Sequence, residues 1–289
     1  MREIAHNTKK LILNITRTKY TRMKGETALK GLIEYAEHLR ANAQTVTHGM
    51  RSTTDADPLS QYGRGQALLD CPLCENRGYL MSVDADGILR GRPCNCMERR
   101  NTLWSLRRDG LTDTVKRCTF ESYKTDTETQ RKVKDAALAF TEDSSGAWFF
   151  ISGRSGSGKS HICTAAFAAL IEGGSGGRFL RWEQGVTRLK QLRYNSPEDY
   201  DAALRPLLHT AILYVDDLFV GAASDADLRL AYTILDARYS NARLRTIISC
   251  ERSLRKIAEL PEGERIAGRI AERAKGYILQ SPDVNMRLS

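Results

Sequence analysis

The stretch Trp148-Phe149-Phe150-Ile151-Ser152-Gly153-Arg154-Ser155-Gly156-Ser157-Gly158-Lys159-Ser160 decides how the rest of the chain is read. An apolar run enters a glycine- and serine-rich loop that ends in Gly-Lys-Ser, and a helical run over 161–171 follows at once. The spacing is that of a phosphate-binding loop, G-x-x-x-x-G-K-[ST], in the strand-before, helix-after setting such a loop needs. Its glycines let the backbone curl so that the N–H groups of Gly153, Arg154, Ser155, Gly156, Ser157 and Gly158 can point at a phosphate, and the following helix adds its positive end. Lys159 is expected to reach the β- and γ-phosphates of ATP, and the Ser160 hydroxyl to ligate Mg²⁺.

Outward from this loop, apolar runs alternate with helical patterns, which predicts an α/β domain with a parallel sheet. The strands are expected at 148–152, 178–182, 211–215, 245–250 and 276–280, with a helix over 224–239 opening on Ser224 and Asp227 as a near capping box. The third strand ends in Asp216-Asp217. Two carboxylates at the end of a buried strand are costly unless their charge has a use. Asp216 fits the carboxylate that holds a magnesium-bound water, and Asp217 fits the residue that orients or activates the attacking water. The strand placed between loop and acidic pair is typical of the additional-strand ATPases rather than of small kinases.

Upstream, Cys71-Pro72-Leu73-Cys74 and Cys94-Asn95-Cys96 form two close pairs. A hairpin between them, Tyr79–Val83 and 88–90 around a turn at 84–87, would bring four sulfurs together at the ~2.3 Å that tetrahedral Zn²⁺ requires. So small a unit has little core of its own, and a metal would supply much of its folding energy. Cys118, Cys163 and Cys250 sit in apolar contexts and read as buried small residues. The 26–43 segment has helical apolar spacing, 45–61 reads as a linker, and the arginines between 99 and 117 read as a basic connector. Arg188, Lys190, Arg193 and Tyr194 combine charge with an aromatic, as single-stranded DNA contacts do, although a solvated helix face reads equally well.

The chain has 289 residues, of which 41% are hydrophobic, with 44 Lys and Arg against 35 Asp and Glu for a net charge of +9. That is enough for a sizeable core in about two domains. No apolar run approaches the ~20 residues of a membrane span, and the N-terminus lacks the pattern of a secretory leader, so a cytoplasmic place without membrane contact is expected. Seven cysteines in such a chain point to metal binding or buried thiols rather than a disulfide framework. The basic surplus suggests a polyanionic partner.

In order along the chain, Cys118-Thr119-Phe120-Glu121-Ser122-Tyr123, Gly158-Lys159-Ser160-His161, Tyr214-Val215-Asp216-Asp217-Leu218, Ile234-Leu235-Asp236-Ala237-Arg238-Tyr239 and Thr246-Ile247-Ile248-Ser249 resemble the DnaC/DnaI group of AAA+ ATPases, the replicative-helicase loaders and their phage relatives. The resemblance covers roughly 118–289 and implies an AAA+ domain with a five-stranded parallel sheet over 120–289. A small zinc ribbon over 66–100, a basic linker over 101–119 and a helical, helicase-binding region over 1–65 would precede it. It further implies an ATPase switch that loads a DnaB-type hexameric helicase onto single-stranded DNA during replication initiation, and that assembles with copies of itself. Arg269 fits the arginine finger, Arg287 the sensor-two arginine, and Ser249 stands at the sensor-one position, where Ser249-Cys250-Glu251 departs from the usual Ser-Asn or Thr-Asn. His161 matches the family motif, and its chemistry suits packing or hydrogen bonding in the first helical turn. The main alternative is an IstB-type transposition ATPase that binds DNA for a transposase; the cysteine unit favours the loader. A zinc-ribbon DNA-binding regulator is a third reading, disfavoured by the intact loop and acidic pair.

Overall fold

The computed structural model describes residues 71–286 except Ala85, Ala222 and Val284, all within one compact unit, Leu59–Ser289. The expected N-terminal helical region over 1–65, the linker over 45–61 and Arg287 lie outside the described residues.

Five parallel strands form the sheet: β3 (Phe149–Ser152), β4 (Gly177–Arg181), β5 (Ile212–Leu218), β6 (Arg245–Cys250) and β7 (Ile278–Gln280). Their order is β4-β5-β6-β3-β7, so β6 separates the loop strand β3 from the acidic strand β5. Every residue of β3 is buried, as befits a central strand covered on both faces. The period of two sorts its side chains. Phe149 and Ile151 join Ile212, Tyr214 and Ile247 in the core beneath helix α4 (Lys159–Glu172). Phe150 joins Leu213, Val215 and Ile248 on the opposite face, beneath α5 (Trp182–Asn195), α6 (Pro197–His209), α7 (Asp225–Tyr239) and α9 (Gly263–Arg273). The capping box of α7 forms: Ser224 accepts from Asp227 N–H, and Asp227 accepts from Ser224 N–H.

The basic stretch 101–119, expected as a linker, is structured. Helix α1 (Cys96–Arg108) and helix α2 (Thr112–Arg117) run through it, and Leu106 and Leu111 are buried in the same core cluster as residues of α3 (Glu128–Glu142) and α4. Frequent arginines on the outer faces hid these few apolar anchors. Thr102 of α1 also closes the free edge of the sheet, because its Oγ1 accepts from Gly177 N–H at 2.7 Å and lies 3.0 Å from the Gly177 carbonyl. Strand β5 is longer than the sequence suggests, continuing past both carboxylates through a register shift between Val215 and Leu218. The remaining pieces are the antiparallel hairpin β1 (Tyr79–Val83) and β2 (Leu89–Pro93), and the short α8 (Leu254–Ala258).

Candidate functional site: a nucleotide cavity and a four-cysteine cluster

The loop after β3 ends in Gly158, left-handed at φ +86°, from which α4 starts at Lys159. Lys159 is buried, 4% exposed, and its Nζ donates to the Arg154 carbonyl at 2.8 Å. A buried ammonium with no carboxylate partner among the described residues is held where an anionic phosphate would neutralise it. The loop glycines have a second use that the sequence alone does not reveal. A Cβ on Gly156 would meet the Asn285 Oδ1 at 2.4 Å, and one on Gly158 would meet the Met286 sulfur at 2.5 Å. The C-terminal segment lies against the loop: Met286 N–H donates to the Gly156 carbonyl at 2.8 Å, Ser157 and Ser281 hydroxyls pair at 2.7 Å, and Arg154 reaches Asp283 at 3.1 Å.

In a regular strand neighbouring side chains face opposite ways, so Asp216 and Asp217 ought to diverge. The register shift and the left-handed Asp217, φ +55°, bring both to the cavity that Lys159 and Ser160 line. That cavity holds about 430 Å³. Arg117, Lys124 and Arg181 also line it, a positive surround suited to a polyphosphate. Ser249 stands behind the cavity: its Oγ donates to Asp216 Oδ1 at 2.8 Å and accepts from Asp217 N–H at 2.8 Å. The Tyr214 hydroxyl donates to the same Asp216 oxygen at 2.5 Å. Nothing in the sequence pattern marks this hydroxyl, because an aromatic in a buried strand reads as core.

His161 turns its Nε2 toward the Thr119 carbonyl, 2.9 Å, and the Ser122 hydroxyl, 3.1 Å, with its ring edge-on to Tyr123. Burial holds its pKa below the usual histidine range. It fastens the 119–123 turn to α4 while one side of it lines the cavity. Arg269 lies elsewhere. It sits on α9, paired with Asp236 at 2.5 Å, donating to the Tyr232 hydroxyl and stacked over the rings of Tyr232 and Tyr239. Lys190 is ion-paired with Asp227 at 2.5 Å, whereas Tyr194 is 86% exposed on the same helix, α5, as the exposed Arg188 and Arg193.

Cys71, Cys74, Cys94 and Cys96 bring their sulfurs within 4.8 Å of one another. The Cys71–Cys94 and Cys74–Cys96 separations are 3.8 and 3.5 Å, near the roughly 3.8 Å edge of a tetrahedron with ~2.3 Å zinc–sulfur bonds. The donor set therefore fits zinc. The backbone N–H groups of Cys74 and Leu73 pull the Cys71 thiol down to about 7, while burial pushes Cys96 up to about 12. Cys118, Cys163 and Cys250 are buried, as expected.

Residues 98–274 match the family described as IstB-like ATP binding protein. The replicative helicase loader DnaC of Escherichia coli (strain K12) is 26% identical over 153 residues, which are 51% of this chain and 62% of that protein. The match therefore spans less than two thirds of the relative's length. The phage-like element PBSX protein XkdC of Bacillus subtilis (strain 168) is 25% identical over 232 residues, 73% of this chain and 81% of that protein. Among solved structures, the DnaC helicase loader superposes with a TM-score of 0.52 at 24% identity, covering 58% of this chain and 99% of that one. DnaI gives 0.50 at 20% identity, covering 60% and 93%. The structural likenesses establish the fold.

Proposed function

Because this chain belongs to the family of IstB-like ATP binding proteins, we propose that it is a nucleotide-switched ATPase that loads a DnaB-type hexameric helicase onto single-stranded DNA. The observation that carries the ATPase reading is the convergence of Asp216 and Asp217 on the cavity of Lys159 and Ser160. In this reading the loop N–H groups and Lys159 bind the phosphates, and Ser160 and Asp216 hold magnesium, which neutralises charge that develops on the γ-phosphate. Asp217 takes the proton of the attacking water. Ser249 acts through Asp216 and the Asp217 backbone, and Arg287 and Arg269 serve as sensor-two arginine and finger.

Arg269 belongs to the helix layer opposite α4, so the γ-phosphate it reaches is a neighbouring subunit's. This makes self-assembly part of the mechanism. Arg188, Arg193 and Tyr194 supply phosphate contact and base stacking for a single strand. Residues 1–65 are assigned to the helicase, 66–100 to a zinc module, and 120–289 to the AAA+ domain.

The IstB-type transposition ATPase is the second reading, and the family match supports it equally. The four-cysteine cluster ahead of the ATPase domain favours the loader. Copurification separates them: a DnaB-type hexamer retained by the tagged full chain supports the loader, and a transposase retained in its place overturns it.

A further inference from the structure

Tyr214 precedes Asp216 by two positions on β5, so both side chains leave the same face of the sheet, toward α4. Its ring is fully buried, 4.4 Å from that of Phe179 and 6.2 Å from that of Phe167. An aliphatic side chain would serve that packing. A phenol hydroxyl carried to this depth requires a polar partner, and this one reaches the carboxylate read above as metal-holding. It donates to Asp216 Oδ1 at 2.5 Å, and the Ser160 carbonyl lies 3.5 Å away. Ser249 Oγ donates to the same Oδ1 at 2.8 Å. Two hydroxyls thus converge on one carboxylate oxygen, and among the described residues no hydrogen bond goes to Oδ2.

We propose that Tyr214 is a positioning residue for Asp216, its hydroxyl fixing the carboxylate together with that of Ser249 so that Oδ2 is kept for magnesium. Two fixed donors on one oxygen hold the Asp216 carboxylate in a single orientation before the metal arrives. The inference rests on the proposed reading of Lys159, Ser160 and Asp216 as a nucleotide and metal site.

The test is the affinity of the full chain for a fluorescent ATP analogue, titrated once with Mg²⁺ and once with EDTA. Tyr214→Phe keeps the ring and removes the hydroxyl. It is expected to match the unaltered protein in EDTA and to lose about ten-fold of the affinity that Mg²⁺ adds, the size of one hydrogen bond to a charged acceptor. Ser249→Ala is expected to do the same, and it carries the test should Tyr214→Phe fail to fold. Lys159→Ala is the control and is expected to lose binding under both conditions. Retained binding in Lys159→Ala would remove the site reading itself. Lost binding there, with a full magnesium gain in Tyr214→Phe and Ser249→Ala, overturns the positioning role alone. Equal losses with and without Mg²⁺ also overturn it, since they make the hydroxyl a matter of packing.

Discussion

Asp217 occupies a left-handed backbone position, φ +55°, with its N–H bound to Ser249. Asp and Asn tolerate this conformation, whereas β-branched residues do not. Asp217→Asn is therefore a clean probe of chemistry: it preserves shape and backbone and removes the group that accepts a proton. Hydrolysis is expected to fall by about 10²-fold or more while ATP binding holds. Turnover at the unaltered rate in a phosphate-release assay would move the water-activating role to another residue. Asp217→Val, by contrast, is expected to disturb the turn itself and to lower the melting temperature.

At the scale of elements, Arg238 gathers three of them. The guanidinium of this fully buried residue bonds the Leu207 and Thr210 carbonyls at the end of α6, the Arg245 carbonyl and Thr246 hydroxyl on β6, and the Ala211 carbonyl before β5. It satisfies helix-end carbonyls that have no partner within their own helix. Burial lowers its pKa to about 9, so it remains charged at neutral pH. Arg238→Met fills a similar volume but strands those acceptors, and a loss of about 3–5 kcal/mol is expected from denaturant midpoints. A loss within 0.5 kcal/mol would show that water takes over the carbonyls. The cysteine hairpin is the opposite case. Its buried cluster is Cys71, Cys74 and Cys94 with Leu80 and Cys96 packed on it, while Met81, Val83 and Leu89 are exposed. With so little apolar core, stoichiometric zinc is expected in the purified protein. Its chelation should collapse amide protection over 71–96 and spare the sheet, since α1 is anchored separately through Thr102. Protection unchanged on chelation, or an iron chromophore in place of zinc, would be the contrary result.

At the scale of the whole molecule, the nucleotide cavity and Arg269 belong to different layers. Ile162 and Phe167 of α4 pack on one face of the sheet, Ile266 and Ile270 of α9 on the other. In a single copy Arg269 is engaged by Asp236. On the proposed reading, Arg269→Ala is expected to bind ATP normally but to lose any stimulation of hydrolysis by DNA or helicase. An arginine supplied in trans is worth roughly 10³–10⁵ in rate where GTPases have been measured. Mixing Arg269→Ala with Lys159→Ala should restore part of the activity, because an intact finger can then face an intact cavity. ATPase rate flat at background across the mixing ratio would place the finger elsewhere.

The fold and the phosphate loop were legible because their signals are local. An apolar run entering Gly153–Ser160, short apolar strands alternating with helices and the Ser224–Asp227 cap each declare themselves within a few residues, and the spacing of the paired cysteines alone suggests a hairpin that brings four thiols together. What the tertiary structure decided involves partners far apart in the chain. Asp217 joins Asp216 in one cavity only through a register shift against β6. Asn285 and Met286 occupy the space that Gly156 and Gly158 leave open. Leu106 and Leu111, isolated among arginines, become anchors only when residues of α3, α4 and the sheet close into one cluster with them. Tyr214 and Arg238 carry polar groups whose use depends on which atoms burial places within hydrogen-bond reach. Period and spacing record the backbone's local preferences, whereas the pairing of a buried donor with its acceptor is settled only when the layers close and water leaves.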